Sequence, residues 1–309
     1  MRVFRHTSAT GDDRGAVVVV GNFDGVHLGH QAVLEAARRD ADASKRPLAV
    51  LTFEPHPRSV FQPGAPPFRL TPFRGKARAL ESFGIDLLFT LHFDLDFAKK
   101  SAEEFVAEAL VAGLGASQVV VGYDFVFGNK RRGTPALLKT EGAKHGFGVH
   151  VVAPVAQAGG TVYSSTQIRE DLVDGNPRAA AALLGRPWEI EGRVETGAKL
   201  GRTIGFPTAN VMLADYLRPA PGVYAVRAAV DEPVPRWFDG AANLGFRPTV
   251  GGTDLRLEAH LFDFDGDLYG KHLRVRFIER LRPEQRFDGL DALKAQIAVD
   301  CAKAREILL

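Results

Sequence analysis

The stretch "VVVVGNFDGVHLGHQAVLEAARR", Val17 to Arg39, constrains the fold more than any other part of the chain. Four valines in a row lack the in-and-out alternation of a half-buried strand. As a strand they are apolar on both faces and must be covered on both. A turn containing Gly21 and Gly25 follows, and an alanine-rich helical pattern begins at Leu28. Strand, glycine turn and helix in that order open a βα unit, which implies a parallel sheet with helices packed on it.

The first half of the chain repeats this alternation. Val17–Val20, Leu48–Phe53, Asp86–Leu91, Gln118–Val121 and Val149–Val152 read as short buried strands. Leu28–Arg39, Phe73–Phe83, Ala102–Ala112 and Pro135–His145 read as helices between them. The pattern predicts an α/β domain with a doubly wound, Rossmann-like parallel sheet. Such sheets bind ligands beyond the carboxyl ends of their strands, and the turn after Val20 is at such an end.

A helical stretch at Gln167–Leu184, broken by the turn "DGNP", leads into a different pattern. "EIEGRVETG", "GVYAVRAAV", "RWFDGAANLG", "LRLEAHLFDF" and "KHLRVRFIER" are short segments, several alternating apolar with polar. That is the period of half-buried antiparallel strands. They predict a small β-barrel. The closing "GLDALKAQIAVDCAKAREILL" predicts an amphipathic helix that packs through Leu290, Leu293, Ile297, Cys301 and Ile307. The change of pattern puts the domain boundary near Gly185, dividing the chain into 1–185 and 186–309. "FQPGAPPF", Phe61–Phe68, reads as a surface loop.

Composition narrows the function classes. Of 309 residues, 45% are hydrophobic and 25% charged, the proportions of an ordinary globular protein. A net charge of +2 offers no basic surface for nucleic acid. A single cysteine, Cys301, excludes a disulfide within the chain and a multi-thiolate metal site. Residues 1–15 lack the apolar core of a signal peptide, and no apolar run approaches the ~20 residues of a membrane helix. These features predict a soluble, cytoplasmic protein with no nucleic-acid or membrane partner; the expected assembly is a monomer or weak homo-oligomer.

"GNFDGVHLGH" is neither a Walker loop, since no GK[ST] ends it, nor a dinucleotide fingerprint, since its glycine spacing differs. A helix starting near Leu28 aims its unpaired N–H groups at the turn, forming an anion site. His27 and His30, three apart, share one helical face and can donate to phosphate oxygens. Taken alone, two histidines at a helix mouth are as well explained by capping or by structural zinc, although no third zinc ligand is evident. "SSTQIRED" places Ser164, Ser165 and Thr166 before a helix that carries Arg169. One hydroxyl suffices for a cap; three, with an arginine one turn on, can grip a polyphosphate.

In the second half, Gly197, Gly201 and Gly205 within "ETGAKLGRTIGFPTAN" imply a flexible loop that can close over a ligand. Thr208 and Asn210, two apart, face the same way if the chain is extended, and their oxygens suit Mg²⁺. A glycine hairpin followed by an Asx turn is the bland alternative.

These motifs, in this order, resemble the bacterial bifunctional riboflavin kinase and FMN adenylyltransferase (FAD synthetase) family, whose N-terminal half belongs to the HxGH nucleotidyltransferases. "GNFDGVHLGH", "TFEPHP", "RLTPFRGKARALESFGID", "SAEEFV", "GYDFVFGNKRRG", "SSTQIR", "GFPTAN", "NLGFRPTVGG" and "LEAHLFDFDGDLYG" carry the resemblance across nearly the whole chain. Tyr123 departs from it, standing where the family often has an acidic residue. The resemblance implies two ATP-dependent steps, riboflavin to FMN and FMN to FAD. In the adenylyl-transfer half it assigns ATP and its phosphates to Gly21, Phe23, Asp24, Gly25, His27, His30, Ser164, Thr166 and Arg169. His27 and His30 would stabilise the developing charge, and Asp124, Phe125 and Phe127 would lie near FMN. In the kinase half it assigns ATP to Gly201, Gly205, Thr208 and Asn210, with Mg²⁺ on Thr208 and Asn210. Glu258 becomes the general base for the ribityl hydroxyl, and Phe246 and Arg247 lie near the same cleft.

Overall fold

The computed structural model describes residues 1–156, 160, 162–196, 200–249 and 252–309, without the side chains at 200, 202, 247–249 and 252–254. Gly197 and the Arg247 side chain therefore lie outside the described residues. The chain forms two compact units. One comprises Met1–Pro66 and Phe73–Tyr163; the other comprises Pro67–Pro72 and Ser164–Leu309.

The first unit is built on a six-stranded sheet of β1 (Arg2–Phe4), β2 (Val17–Val20), β3 (Leu48–Glu54), β4 (Leu87–His92), β5 (Gln118–Gly122) and β6 (Gly148–Val152). Its order is β1-β4-β3-β2-β5-β6, and every pairing is parallel. The helices are α1 (Leu28–Ser44), α2 (Pro57–Phe61), α3 (Phe73–Ser82), α4 (Ala102–Phe105) and α5 (Pro135–His145). Helix α4 runs on into a π-helical segment, Val106–Gly113. The valine run behaves as its composition demands. Val18 and Val20 join one core with Leu51, Phe89, Val121 and Leu110. Val17 and Val19 join another with Leu34, Val50, Leu80 and Leu88. Alternate residues feed opposite cores, so no position is left for a polar side chain. Each such residue contributes roughly 1.5–3 kcal/mol of burial.

Strand order positions the site. The chain leaves β2 toward β3 and β4, then returns to place β5 on the other side of β2. The connections reverse between β2 and β5, so a crevice opens beyond their carboxyl ends. Both "GNFDGVHLGH" and "GYDFVFG" begin at those ends.

The second unit begins with α6 (Ser165–Val173) and α7 (Pro177–Leu184), and α7 packs on the barrel strands β7 and β12. The barrel consists of β7 (Trp188–Glu195), β8 (Ala209–Met212), β9 (Gly222–Val230), β10 (Phe238–Thr249), β11 (Gly252–Leu261) and β12 (His272–Arg282), with a short α8 (Leu200–Thr203) before β8. It closes in the order β10-β11-β8-β7-β12-β9. Alternation explains the closure. On β12, Leu273, Val275 and Phe277 are buried, while Arg274 and Arg276 turn outward and bond Glu189. Trp188 plugs the barrel and donates its indole N–H to the Leu70 carbonyl at 2.9 Å.

Helix α9 (Leu290–Leu308) packs on β9, β10 and β12. Its contact face departs from the expected one at Leu290. Leu290 is exposed, while Ala304 and Leu308 join the core with Cys301 and Ile307 against it. Arg282 fastens the helix by clasping the buried carboxylate of Asp300 at 2.7–3.0 Å, so the seam lies toward the C-terminal end of the helix. Burial pushes the Cys301 thiol up to about 11, so at neutral pH it is a packing residue and not a nucleophile.

Candidate active sites

In the first unit, the chain leaves β2 through a backbone that few residues adopt. Phe23, Gly25 and Val26 have φ of 51°, 87° and 45°. For a phenylalanine and a β-branched valine this costs on the order of 1–3 kcal/mol each. Both side chains are buried, which offsets the strain. The Phe23 ring folds back beneath Gly21, where a Cβ would stand 3.0 Å from it. The Gln31 side-chain amide holds the Val26 carbonyl at 2.9 Å. Asp24 and His27 are buried in this turn.

His27 caps α1. Its Nδ1 accepts the backbone N–H of His30 at 3.3 Å. A ring nitrogen that accepts carries no proton, so the proton of His27 resides on Nε2 and that nitrogen is a donor. The His30 ring stacks on His27 with centroids 3.7 Å apart, and Phe23 meets His30 edge-on at 5.3 Å. Gly29 is required by close approach: a Cβ there would lie 3.1 Å from the His27 ring and 3.3 Å from Tyr163 Cβ. The result is a paired-imidazole wall beside the N-terminus of a 17-residue helix, a setting suited to phosphate.

Behind this turn lies a residue the motif reading missed. Lys76, on α3, has no solvent exposure. Its ammonium contacts the Asn22 carbonyl at 3.2 Å, Thr52 Oγ1 at 3.1 Å and Glu54 Oε1 at 2.8 Å. It thereby ties the ends of β2 and β3 to α3 and holds the turn in its strained form. Lys76→Met is expected to destabilise the first unit by about 3 kcal/mol, since Glu54 loses its buried partner. Denaturant titration checks this. If the turn serves the FAD-forming step that the resemblance implies, that step should fall at least about tenfold through misplacement of the turn, with the FMN-forming step retained.

The loop after β5 is mixed. Asp124 and Tyr123 are exposed, Phe125 is half-buried, and Phe127 sits in the core at 9% exposure. Phe125 and Phe127 stack at 5.2 Å, and Phe127 packs on Phe105. Phe53, Phe93 and Phe97 extend this aromatic row to Phe61, which is 58% exposed. Most of these rings belong to the packed core, and Phe61 is the one that stands clear of it.

Ser164, Thr166 and Arg169 belong to the second unit. Ser164 caps α6 by accepting the Gln167 N–H at 3.2 Å, which leaves its hydroxyl proton to donate. Thr166 is exposed. Arg169 is held by a bond from Nε to the Phe68 carbonyl at 2.9 Å and lies over the Phe68 ring.

The barrel carries its own site. A cavity of about 340 Å³ is lined by Thr208 and Asn210, by Val194 and Ala259, and by Asp265, Asp267 and Tyr269 of the loop after β11. Gly201 owes its place to close approach, since a Cβ would meet the Phe206 carbonyl at 2.3 Å. Gly205 has φ of 89°, a turn conformation. The Gly201 carbonyl accepts from Phe206 N–H at 2.8 Å, so this segment is folded as a compact turn. His260 Nδ1 bonds the Pro207 carbonyl at 2.8 Å, pinning the chain before Thr208. Glu258 stands opposite Asn210 on one side and Asn243 on the other, so the three share the outer face. Leu257 and Ala259 are buried inward. Phe246 is 55% exposed.

The FAD synthetase family model matches residues 9–167, and the riboflavin kinase family model matches residues 184–308. The bifunctional riboflavin kinase/FMN adenylyltransferase of Escherichia coli K12 is 43% identical over 97% of this chain and 95% of its own. The chain belongs to the bifunctional riboflavin kinase/FMN adenylyltransferase family. The Pseudomonas fluorescens member is 44% identical over 96% of this chain and 94% of its own. A solved structure described as a macrolide-efflux protein from Streptococcus pneumoniae is 33% identical with a TM-score of 0.87, each chain covered to 98%. That description is of the other protein; among the described residues here, no helix is long and apolar enough to cross a membrane.

Against this family background, the fold brings together His27, His30, Gly21, Phe23, Asp24 and Gly25 on one turn. It brings Thr208 and Asn210 to one cavity, with Glu258 beside Asn210. Gly29, Lys76, His260 and the loop residues Asp265 to Tyr269 complete the two sites and were not singled out by motif. Gly29 alone had a local signal, its place between the paired histidines.

Proposed function

We infer that this chain catalyses two successive reactions: ATP-dependent phosphorylation of riboflavin to FMN, then adenylyl transfer from a second ATP to FMN. The observation that carries the reading is that both family models match one chain, in separate segments. On this reading 1–185 serves adenylyl transfer and 186–309 serves the kinase.

In adenylyl transfer an FMN phosphate oxygen bonds to the α-phosphorus of ATP, and the bond from that phosphorus to the bridging oxygen breaks, releasing pyrophosphate. No enzyme nucleophile is needed; alignment and charge stabilisation supply the rate. His27, donating from Nε2, and His30 face the phosphates, with the α1 N-terminus behind them. Ser164, Thr166 and Arg169 hold the β- and γ-phosphates that depart. The isoalloxazine of FMN fits the aromatic row through Phe125, and Asp124 lies at its edge.

In the kinase, Glu258 takes the proton of the terminal ribityl hydroxyl as that oxygen attacks the γ-phosphorus, and ADP leaves. The metal fits on donor chemistry. Thr208, Asn210, Asp265 and Asp267 present oxygen, and among the described residues no imidazole or thiolate lines the cavity. Thr208 and Asn210 would hold Mg²⁺, which neutralises phosphate charge when bound. Both reactions consume soluble cofactor precursors and ATP, which places the protein in the cytoplasm and asks for no nucleic acid or membrane.

Purified protein given riboflavin, ATP and Mg²⁺, with products separated by chromatography, should yield FMN and then FAD. Supplying FMN directly isolates the second reaction. Absence of both products overturns the reading.

A further inference from the structure

We infer that Glu191, Asp231 and His272 form a binding site for one divalent transition-metal ion, of which Zn²⁺ is the type, separate from the ATP cavity of the barrel. Among the described residues these three are the one grouping of His, Cys, Asp or Glu donors that converge, with ligand atoms all within 4.8 Å of one another. Two of the donors stand on barrel strands and the third just past one. Glu191 lies in β7, Asp231 directly follows β9, and His272 opens β12. The closed barrel therefore fixes Glu191 and His272, and Asp231 is tied to them by the bond of its N–H to the His272 carbonyl.

Charge and chemistry select the ion. Glu191 is 9% exposed, so one carboxylate is largely desolvated beside a second. Bringing two carboxylates together out of water is unfavourable unless a proton or a cation joins them. Arg274 is the cross-strand partner of Glu191, yet its Nε and Nη2 bond Glu189 at 2.7 and 3.1 Å. Arg276 also bonds Glu189 at 3.0 Å, and both arginines lie over the Trp237 ring. Arg193, the partner of His272, turns its Nη1 to the Gly270 carbonyl at 3.0 Å. One imidazole with two carboxylates is the mixed N/O set that zinc takes, with water as a fourth ligand. Mg²⁺ prefers all-oxygen octahedra and retains its waters, so it suits this set poorly.

The location gives the site a use. His272 ends the loop whose residues Phe264 to Tyr269 line the ATP cavity. The Asp231 N–H donates to the His272 carbonyl at 2.8 Å. Val194, itself in the cavity wall, donates to Lys271 and accepts from Gly270 at 2.9 and 3.0 Å. An ion on the triad would staple β7, β9 and β12 at the root of that loop.

The test uses the full chain, stripped with EDTA and free of nucleotide and flavin, titrated with Zn²⁺ against a chromogenic indicator. Because no reaction is read, its outcome is independent of the catalytic assignment. One Zn²⁺ per chain is expected, with a rise in melting midpoint of about 5 °C at a hundredfold excess over Kd. His272→Gln and the isosteric Asp231→Asn should each weaken binding at least about tenfold and abolish the shift, while Thr208→Ala should retain both. The Asp231→Asn protein decides the matter if His272→Gln folds poorly. Absence of bound zinc, zinc held equally by Asp231→Asn, or zinc lost in Thr208→Ala overturns the site.

Discussion

His30→Ala is expected to cut FAD formation from supplied FMN by about 10²–10³-fold, the cost of removing one preorganised donor from developing phosphate charge. Riboflavin phosphorylation by the same protein should be unchanged. The variant is clean for a structural reason. His30 supplies the α1 cap through its backbone N–H, which alanine retains, so the His27 cap bond survives. Alanine is also the best helix former, and His30 is only half-buried. What disappears is the ring stacked 3.7 Å from His27 and edge-on to Phe23. His27 is different, because its side chain caps the helix and, on the proposed reading, also faces the phosphates. His27→Asn keeps a cap acceptor and loses the Nε2 donor. Separate rates for riboflavin and for FMN, with a thermal melt, check all three statements. Normal FAD formation by His30→Ala would remove the histidine pair from the reaction.

The parts of this fold that were legible in sequence are those set by local pattern. Val17–Val20 could only be a strand covered on both faces, and the alternation of "LRVRF" could only line a barrel or sandwich. Three elements had no such mark. Strand β1 is three residues long, with Arg2 and Val3 exposed, and exists because β4 offers it an edge. The π-helical run at Val106–Gly113 has the composition of an α-helix. The packing face of α9 shifted because the Arg282–Asp300 clasp fixes the helix from its C-terminal half, leaving Leu290 outside. At the sites, residues joined by one turn were readable together, as from Gly21 to His30. Lys76 was not, because its acceptors are 22 to 54 positions away and a helical lysine gives no sign of burial. His260 and the cavity loop from Asp265 to Tyr269 likewise acquire meaning only through cross-barrel pairing.

Glu258→Gln should abolish most riboflavin phosphorylation, by about 10²–10⁴-fold, while FAD formation from supplied FMN continues at its ordinary rate. The change keeps shape, exchanges one acceptor oxygen for an N–H donor, and removes the charge and with it the ability to take a proton. Its setting makes this a test of chemistry. Glu258 points to the outer face of β11 between Asn210 and Asn243, and the inward neighbours Leu257 and Ala259 carry the packing. A neutral amide between two amides costs the barrel little, so stability should remain close to that of the parent protein. The register with Asn210 sharpens the expectation. Asn210 lines the cavity proposed for ATP, and Glu258 is its direct cross-strand neighbour, so the proposed base stands one strand spacing from that cavity's wall. ATP binding should accordingly survive the substitution, and the loss should fall on kcat more than on the KM for ATP. An intact kinase rate would show that the ribityl hydroxyl gives its proton to another group. A parallel loss of ATP affinity would make Glu258 a binding residue and not the base.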